Sequence, residues 1–374
     1  MTKHSTPTSF TSRRRAGLIA IFLGLGLNSA CGNLDEQDTW YPSVLALTRW
    51  DATHVLALRL NFAEPVVLDL ATGKQTGKLN VTKYYQDIES LDDGAFVARH
   101  NQSIDYLEAD GRIRYSIPGH VFISAVISGD HSTLAYADYM DAQAAFIGVT
   151  SLQPAVVTRH SPAGLHFDIN SEGLALSNDG TLLAYVQSGN VGLAKTDEPH
   201  SLAQPATVPT CDLDQGPDAW GNPYALAMSP VENKLAVMSS DGLLRIFDVG
   251  QYPSCPMLLK VPAAPDADSP FDLHLRYSPN GSTIAVTVSS LTVVEGADIG
   301  TWTNEVRLFD ANTGTSTGVL PVGREDVPLH DSASRTITDV LWSDAGDRLT
   351  VAGQFIFVQH WDVATATLLW STKL

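Results

Sequence analysis

"SPNGSTIAVT", Ser278 to Thr287, opens with turn chemistry and closes with a β-branched apolar run, and nearly the same phrase, "SNDGTLLAYV", stands at Ser177 to Val186. Aligned on the serine, the phrase occurs in seven copies anchored at Thr48, Ser90, Ser128, Ser177, Ser229, Ser278 and Ser343, with spacings of 42, 38, 49, 52, 49 and 65 residues. Six residues beyond the anchor, six copies carry a large apolar residue: Phe96, Leu134, Leu183, Leu235, Ile284 and Leu349. The first copy slips by one, to Val55 and Leu56. Positions one and three before the anchor are apolar in nearly every copy, as at Leu47 and Leu45 or Trp342 and Val340; the second copy, with Glu89 directly before its anchor, is the poorest.

One unit reads as an apolar strand, a tight Ser-x-Asn/Asp-Gly turn and a second apolar strand, which is a hairpin. A third strand ends on an aspartate, in "VVLDLATG" (Asp69), "RIFDVG" (Asp248), "RLFDANTG" (Asp310) and "QHWDVA" (Asp362), and a fourth follows, as in "TATLLWS". Four short antiparallel strands cannot bury two apolar faces alone, so neighbouring units must stack, and closing the array into a ring buries every inner face. The expected fold class is therefore all-β, a seven-bladed β-propeller of four-stranded antiparallel blades over residues 41–374.

At these residues the chain resembles the WD40-repeat family and its bacterial relatives: Gly119-His120 before the third copy, Trp361-Asp362 in the last, the Phe-Asp variants at Asp248 and Asp310, and the serine turns. Only one copy has Gly-His and one Trp-Asp, so the family's Asp/His/Ser/Trp hydrogen-bond network would be incomplete here. "TATLLWST" also resembles the repeats of quinoprotein-like propellers, including the lipoprotein that helps assemble outer-membrane barrels. The last copy contains four strands of its own, so the ring closes either by side-chain packing or with an edge strand from "DTWYPSV" (Asp38 to Val44).

Residues 1–30 read as an export signal, Arg13 to Arg15 preceding the apolar run Ala16 to Leu27, and 31–40 as a tether. Twelve residues are too few for a helix to span a bilayer, which takes roughly 20. "LNSAC" is similar to the lipobox of bacterial lipoproteins, with small residues at Ser29 and Ala30, which implies lipidation of Cys31 and a membrane-anchored location in the bacterial cell envelope, on the periplasmic or outer-membrane side. The alternative is ordinary signal cleavage into a soluble exported form.

The formal net charge is −18; four of the 23 basic residues and no acid lie in the first thirty positions, leaving 19 bases against 41 acids, or −22. A phosphate backbone would be repelled, so no nucleic-acid partner is expected. After Cys31 only Cys211 and Cys255 remain. Export permits a disulfide between them; the strand reading sets them at opposite rims, which favours two unpaired cysteines.

Long segments fall at Thr207 to Tyr224, Pro262 to Asp272, Ser289 to Thr303 and Pro321 to Thr338, and all four map to the rim carrying the strand two-to-three and blade-to-blade loops. Long loops on a rigid scaffold are where binding concentrates. That rim combines acids with the candidate binding residues Trp220, Phe271, Trp302, Arg324 and His330, a chemistry suited to a protein partner or to stacking on a sugar. "DLDQGPD", with Asp212, Asp214 and Asp218, is a weak calcium candidate lacking the full ligand order. Arg276, with His274 two residues earlier, puts charge at an innermost-strand position where other copies have Ala46, Ile88, Val126, Ala175, Ala227 and Leu341. Either it pairs with an acid such as Asp272 or Asp339, or it contacts a ligand at the mouth of the central channel.

No nucleophile elbow, zinc motif or phosphate loop is present. The expectation is a non-catalytic, monomeric interaction scaffold without a cofactor, tethered to the membrane by its N-terminal lipid. The alternative is a lactonase-like propeller hydrolase acting at the channel mouth through His120, His274, His330 and Arg276.

Overall fold

The computed structural model describes residues 44–374 except 61–63, 142–143, 153–156, 166–172, 188–189, 198–222, 253, 265–273, 294–298, 329–335 and 355–356. Among the described residues, twenty-seven strands form seven antiparallel sheets in chain order. Blade one is β1 (Val44–Asp51), β2 (His54–Arg59), β3 (Val66–Asp69) and β4 (Gln75–Lys78). Blade two is β5 (Asp87–Ser90), β6 (Phe96–His100), β7 (Ser103–Leu107) and β8 (Ile113–Pro118); blade three is β9 (Phe122–Ile127), β10 (Thr133–Asp141), β11 (Ala144–Ser151) and β12 (Val157–Leu165). Blade four shows β13 (Leu174–Leu176), β14 (Leu182–Gln187) and β15 (Asn190–Lys195), and the stretch where its fourth strand would run, 198–222, lies outside the described residues. Blade five is β16 (Pro223–Met228), β17 (Lys234–Ser239), β18 (Leu243–Asp248) and β19 (Met257–Pro262). Blade six is β20 (Leu275–Tyr277), β21 (Thr283–Val293), β22 (Ile299–Asp310) and β23 (Ser316–Pro328); blade seven is β24 (Ile337–Trp342), β25 (Arg348–Gly353), β26 (Phe357–Asp362) and β27 (Thr367–Lys373).

The serine that opens each phrase has a physical job. The Ser278 hydroxyl donates to Asn280 Oδ1 at 2.7 Å and accepts from the Thr283 N–H at 3.0 Å, while Gly281 takes φ +69°. Ser177 repeats this with Asp179 and Leu182, Ser128 with Asp130 and Thr133, and Ser343 with Asp347 and Arg348. One buried hydroxyl thus satisfies a strand-entry amide and fixes the acceptor that shapes the turn, which is why serine, turn residue and apolar strand come in that order. The third-strand aspartates do the same for the next turn: Asp310 accepts from the Asn312 and Thr313 amides, and Asp362 from Thr365. In the first copy β1 and β2 run on past Thr48 to a turn at Asp51–His54 with an irregular register at Arg49–Asp51, which accounts for its slipped phase.

Apolar packing shows how the sheets meet. Each buried cluster combines two consecutive blades: Leu56 with Phe96, Ile104 with Tyr136, Ile147 with Tyr185, Leu193 with Val237, Met238 with Val286, and Val306 with Val351. A seventh joins the last blade to the first, Ala352 and Val358 with Val44, Val55 and Leu68. Seven blades therefore share seven interfaces, and the ring is closed. Among the described residues no strand is shared across the seam; packing closes it, with Thr338 Oγ1 donating to Val44 O (2.6 Å), Arg49 to Trp342 O (2.7 Å) and the Trp370 indole to Leu70 O (2.7 Å). Central strands are covered on both faces and read as continuous apolar runs, as in β2.

Two expectations change. The described parts of Ser289 to Thr303 and most of those of Pro321 to Thr338 are strand rather than irregular loop: β21, β22 and β23 run 11, 12 and 13 residues, against six in most inner strands, and stay paired from Ser289–Asn304 out to Val293–Gly300. Five further residues extend the sheet by about 16 Å. Cys255 is disulfide-bonded rather than free, its partner lying outside the described residues. It sits in the turn before β19, packed with Tyr252 on the cluster between blades four and five.

Candidate functional site

All seven innermost strands line one central cavity of about 830 Å³. Its described wall runs from innermost-strand residues such as Asp87, Leu174, Leu226 and Asp339 to the strand one-to-two turns at Asp51, Asp92, Asn178, Pro279 and Asp344. The cavity therefore opens on the rim of tight turns, opposite the long-loop rim that the sequence singles out.

The wall is two-sided. Blades three to five present Val126, Leu174, Leu176, Leu226 and Met228, while blades one, two, six and seven carry the charge. An innermost strand has no neighbour on its channel side, so alternate amides need another acceptor, and the preceding blade supplies it. Leu47 N–H donates to Asp339 Oδ2 at 2.8 Å, Ser90 N–H to Thr48 Oγ1 at 2.7 Å, and Ile127 N–H to the Glu89 carboxylate. Asp339 also accepts from its neighbour Val340 (2.7 Å) and pairs with Arg276 at 3.6 Å. Arg276 thus has the acidic partner that one sequence reading named, Asp339, and its side of β20 lines the channel.

Glu89 opens to the cavity yet is encircled by protein. Burial and then Asp87 push its carboxyl up to about 8; Asp339 acts in the same sense, and Arg276 and the Ile127 amide oppose it. At the mouth, Arg49 pairs with Asp344, and His131 lies 3.2 Å from Asp92. His131 holds φ +53° at the place in its turn where the fourth, sixth and seventh copies have Gly180, Gly281 and Gly346. A non-glycine residue there is strained, and such positions repay scrutiny as functional ones.

The other sequence candidates are scattered. His274 is buried at the start of blade six, its N–H on Thr287 Oγ1 (2.7 Å), and does not line the cavity. Trp302 is only 6% exposed within β22, and Arg324 is exposed on β23 opposite Thr303. Cys31, Trp220, Phe271, His330, Asp212, Asp214 and Asp218 lie outside the described residues. Among the described residues no three His, Cys, Asp or Glu side chains are arranged to hold a metal ion. Glu89 and Asp87 were missed as site residues, although the charge at Glu89, directly before its anchor, was the available signal.

The family-type network is partial. The His120 and Val121 amides both donate to buried Asp138, each at 2.9 Å, with the His120 ring 3.5 Å away. In blade seven the Trp361 indole donates to Gln359, which donates to Val322 O of blade six. No family model and no curated protein matches the chain. Among solved structures, the Cps50 (Swd1) β-propeller domain of Myceliophteria thermophila aligns with a TM-score of 0.58 and 12% identity, over 87% of this chain and 95% of that one. That likeness speaks for fold alone, and with the seven clusters it makes this chain a seven-bladed β-propeller.

Proposed function

We propose that this chain is a non-catalytic interaction scaffold of the cell envelope, tethered through a lipid on Cys31, that engages a protein partner on the rim of long loops. The observation that carries the reading is the blade-six extension. Its hairpin ends on Val293 (48% exposed) and Ile299 (54%), and its free edge, β23, displays Arg324, Glu325 and Asp326. Exposed apolar groups beside charge on a rigid sheet give a partner anchoring area together with a polar border. The extension adds little to the ring, whose seven clusters all lie within the blades.

The hydrolase alternative is less well supported. Of its described candidates, Arg276 alone lines the cavity; His274 is buried away from it, His120 precedes β9 on the opposite rim, and His330 lies outside the described residues. The test is to replace residues 292–301 by a two-residue turn, which keeps the buried Trp302 and its pairing with Leu291, shorten β23 to match, and compare capture of envelope proteins by the two forms. The shortened form should keep its melting temperature and lose a specific partner; capture of the same proteins by both forms would sink the proposal. Labelled fatty acid should enter the wild-type chain and not Cys31→Ala.

A further inference from the structure

The repeat places apolar residues at the two positions before each anchor, and the ring breaks that rule on facing walls. Blade two substitutes Glu89 for the Leu, Ile, Met, Tyr or Trp of other copies, and blade six substitutes Arg276. Within the described wall stand six carboxylates and two guanidinium groups. Both cations are already matched, Arg276 by Asp339 and Arg49 by Asp344, and Asp87 faces Arg99 at 4.0 Å. Glu89 makes no ion pair among the described residues, although the Ile127 amide donates to it. Opposite the charged half, Val126, Leu176 and Met228 offer an apolar wall. A cavity of this size, polar and apolar in about equal measure and with charged groups converging on one side, can hold a small molecule that carries both characters.

We propose that the central cavity binds a small organic ammonium compound, its cationic head on Glu89 and its apolar body against Val126, Leu176 and Met228. The head supplies the countercharge Glu89 lacks, and the body covers surface that otherwise faces cavity water. An anionic ligand would meet the carboxylate excess instead. The site goes beyond the scaffold reading and is independent of it, because the cavity opens on the opposite rim from the blade-six extension.

The test is calorimetric titration of the full chain at pH 8.5 with hexylammonium, and with hexanol and hexanoate as neutral and anionic matches. Hexylammonium, with seven non-hydrogen atoms, should bind at one site with a dissociation constant on the order of 1 mM. Hexanol should bind at least about tenfold more weakly and hexanoate not measurably. Glu89→Gln should weaken hexylammonium at least about tenfold, while removal of a surface acid by Glu64→Gln should change nothing. Met228→Lys, which supplies an internal cation, should abolish binding and serves should Glu89→Gln fail to fold. The proposal is overturned if hexylammonium does not bind, if hexanoate binds as well, if Glu64→Gln weakens binding as much, or if the folded cavity variants bind like the wild type.

Discussion

The two rims of the ring are made by different rules. On the rim of tight turns one device is stamped four times, a buried or half-buried serine bonding an Asp or Asn and the amide five residues on, with distances agreeing within about 0.2 Å. On the other rim each connection is individual, and blade six grows a paired extension no other described blade matches. The uniform rim keeps the innermost strands in phase, so a departure from the rule there, Glu89, Arg276 or His131, falls on the wall or mouth of the cavity. The individual rim bears no such duty and can vary freely. Stability should therefore concentrate at the seam and turns, and tolerance at the extension.

The largest effect is expected at the seam. Asp339→Ala removes the acceptor of the Leu47 amide and the acid paired with Arg276, and should cost about 2–4 kcal/mol in urea unfolding. Asp326→Ala, which removes an exposed bond from Thr301 on the extension, should stay within about 0.5 kcal/mol. Equal losses would erase the contrast between the rims. Next comes Ser278→Ala, which strands the Thr283 amide at the entry of β21 and should cost about 1–2 kcal/mol.

Glu89 gives a pH signature. Its folded pKa, about 8, stands above the ordinary 4.5, so the folded state holds the proton more tightly than the unfolded chain. Stability should fall as pH rises from about 4.5 to 8 and level off above, because the native state must surrender a proton it favours. Glu89→Gln should flatten that slope and stabilise the protein at pH 9. Cavity water screens the charge, so the gain should be of order 1 kcal/mol. The smallest effect is at Ala366, held at φ +51° where the matching turns of blades one and six have Gly73 and Gly314. Ala366→Gly should stabilise by about 0.5–1 kcal/mol, read as a rise in melting temperature.

Much of this was legible in the chain because its causes are local. Ser278, Asn280 and Gly281 carry their turn within four residues, and Arg276 declared itself by standing among alanines and aliphatics, with Asp339 already named as a partner. The cavity's opening was not legible, since the rim a residue faces is set by ring topology rather than by any local pattern. The blade-six extension escaped because the face it buries carries Gly300, Trp302 and Asn304 rather than an aliphatic alternation, so "SSLTVVEGADIGTWT" reads as a loop. Glu89 registered only as an imperfect copy; its meaning depends on Asp87, Arg276 and Asp339, which three separate blades bring together.

The account rests on the last blade meeting the first, and the Leu47 amide reports on that contact directly. It points out of its own sheet to Asp339, some 290 residues away in sequence, so it is shielded only while the seam is shut. Native-state hydrogen exchange should find Leu47 opening with the same free energy as amides in the interior of β17 or β25, which are freed only by global unfolding. Exchange of Leu47 through a local opening several kcal/mol below that value, with β17 and β25 still protected, would show a ring that is not held closed.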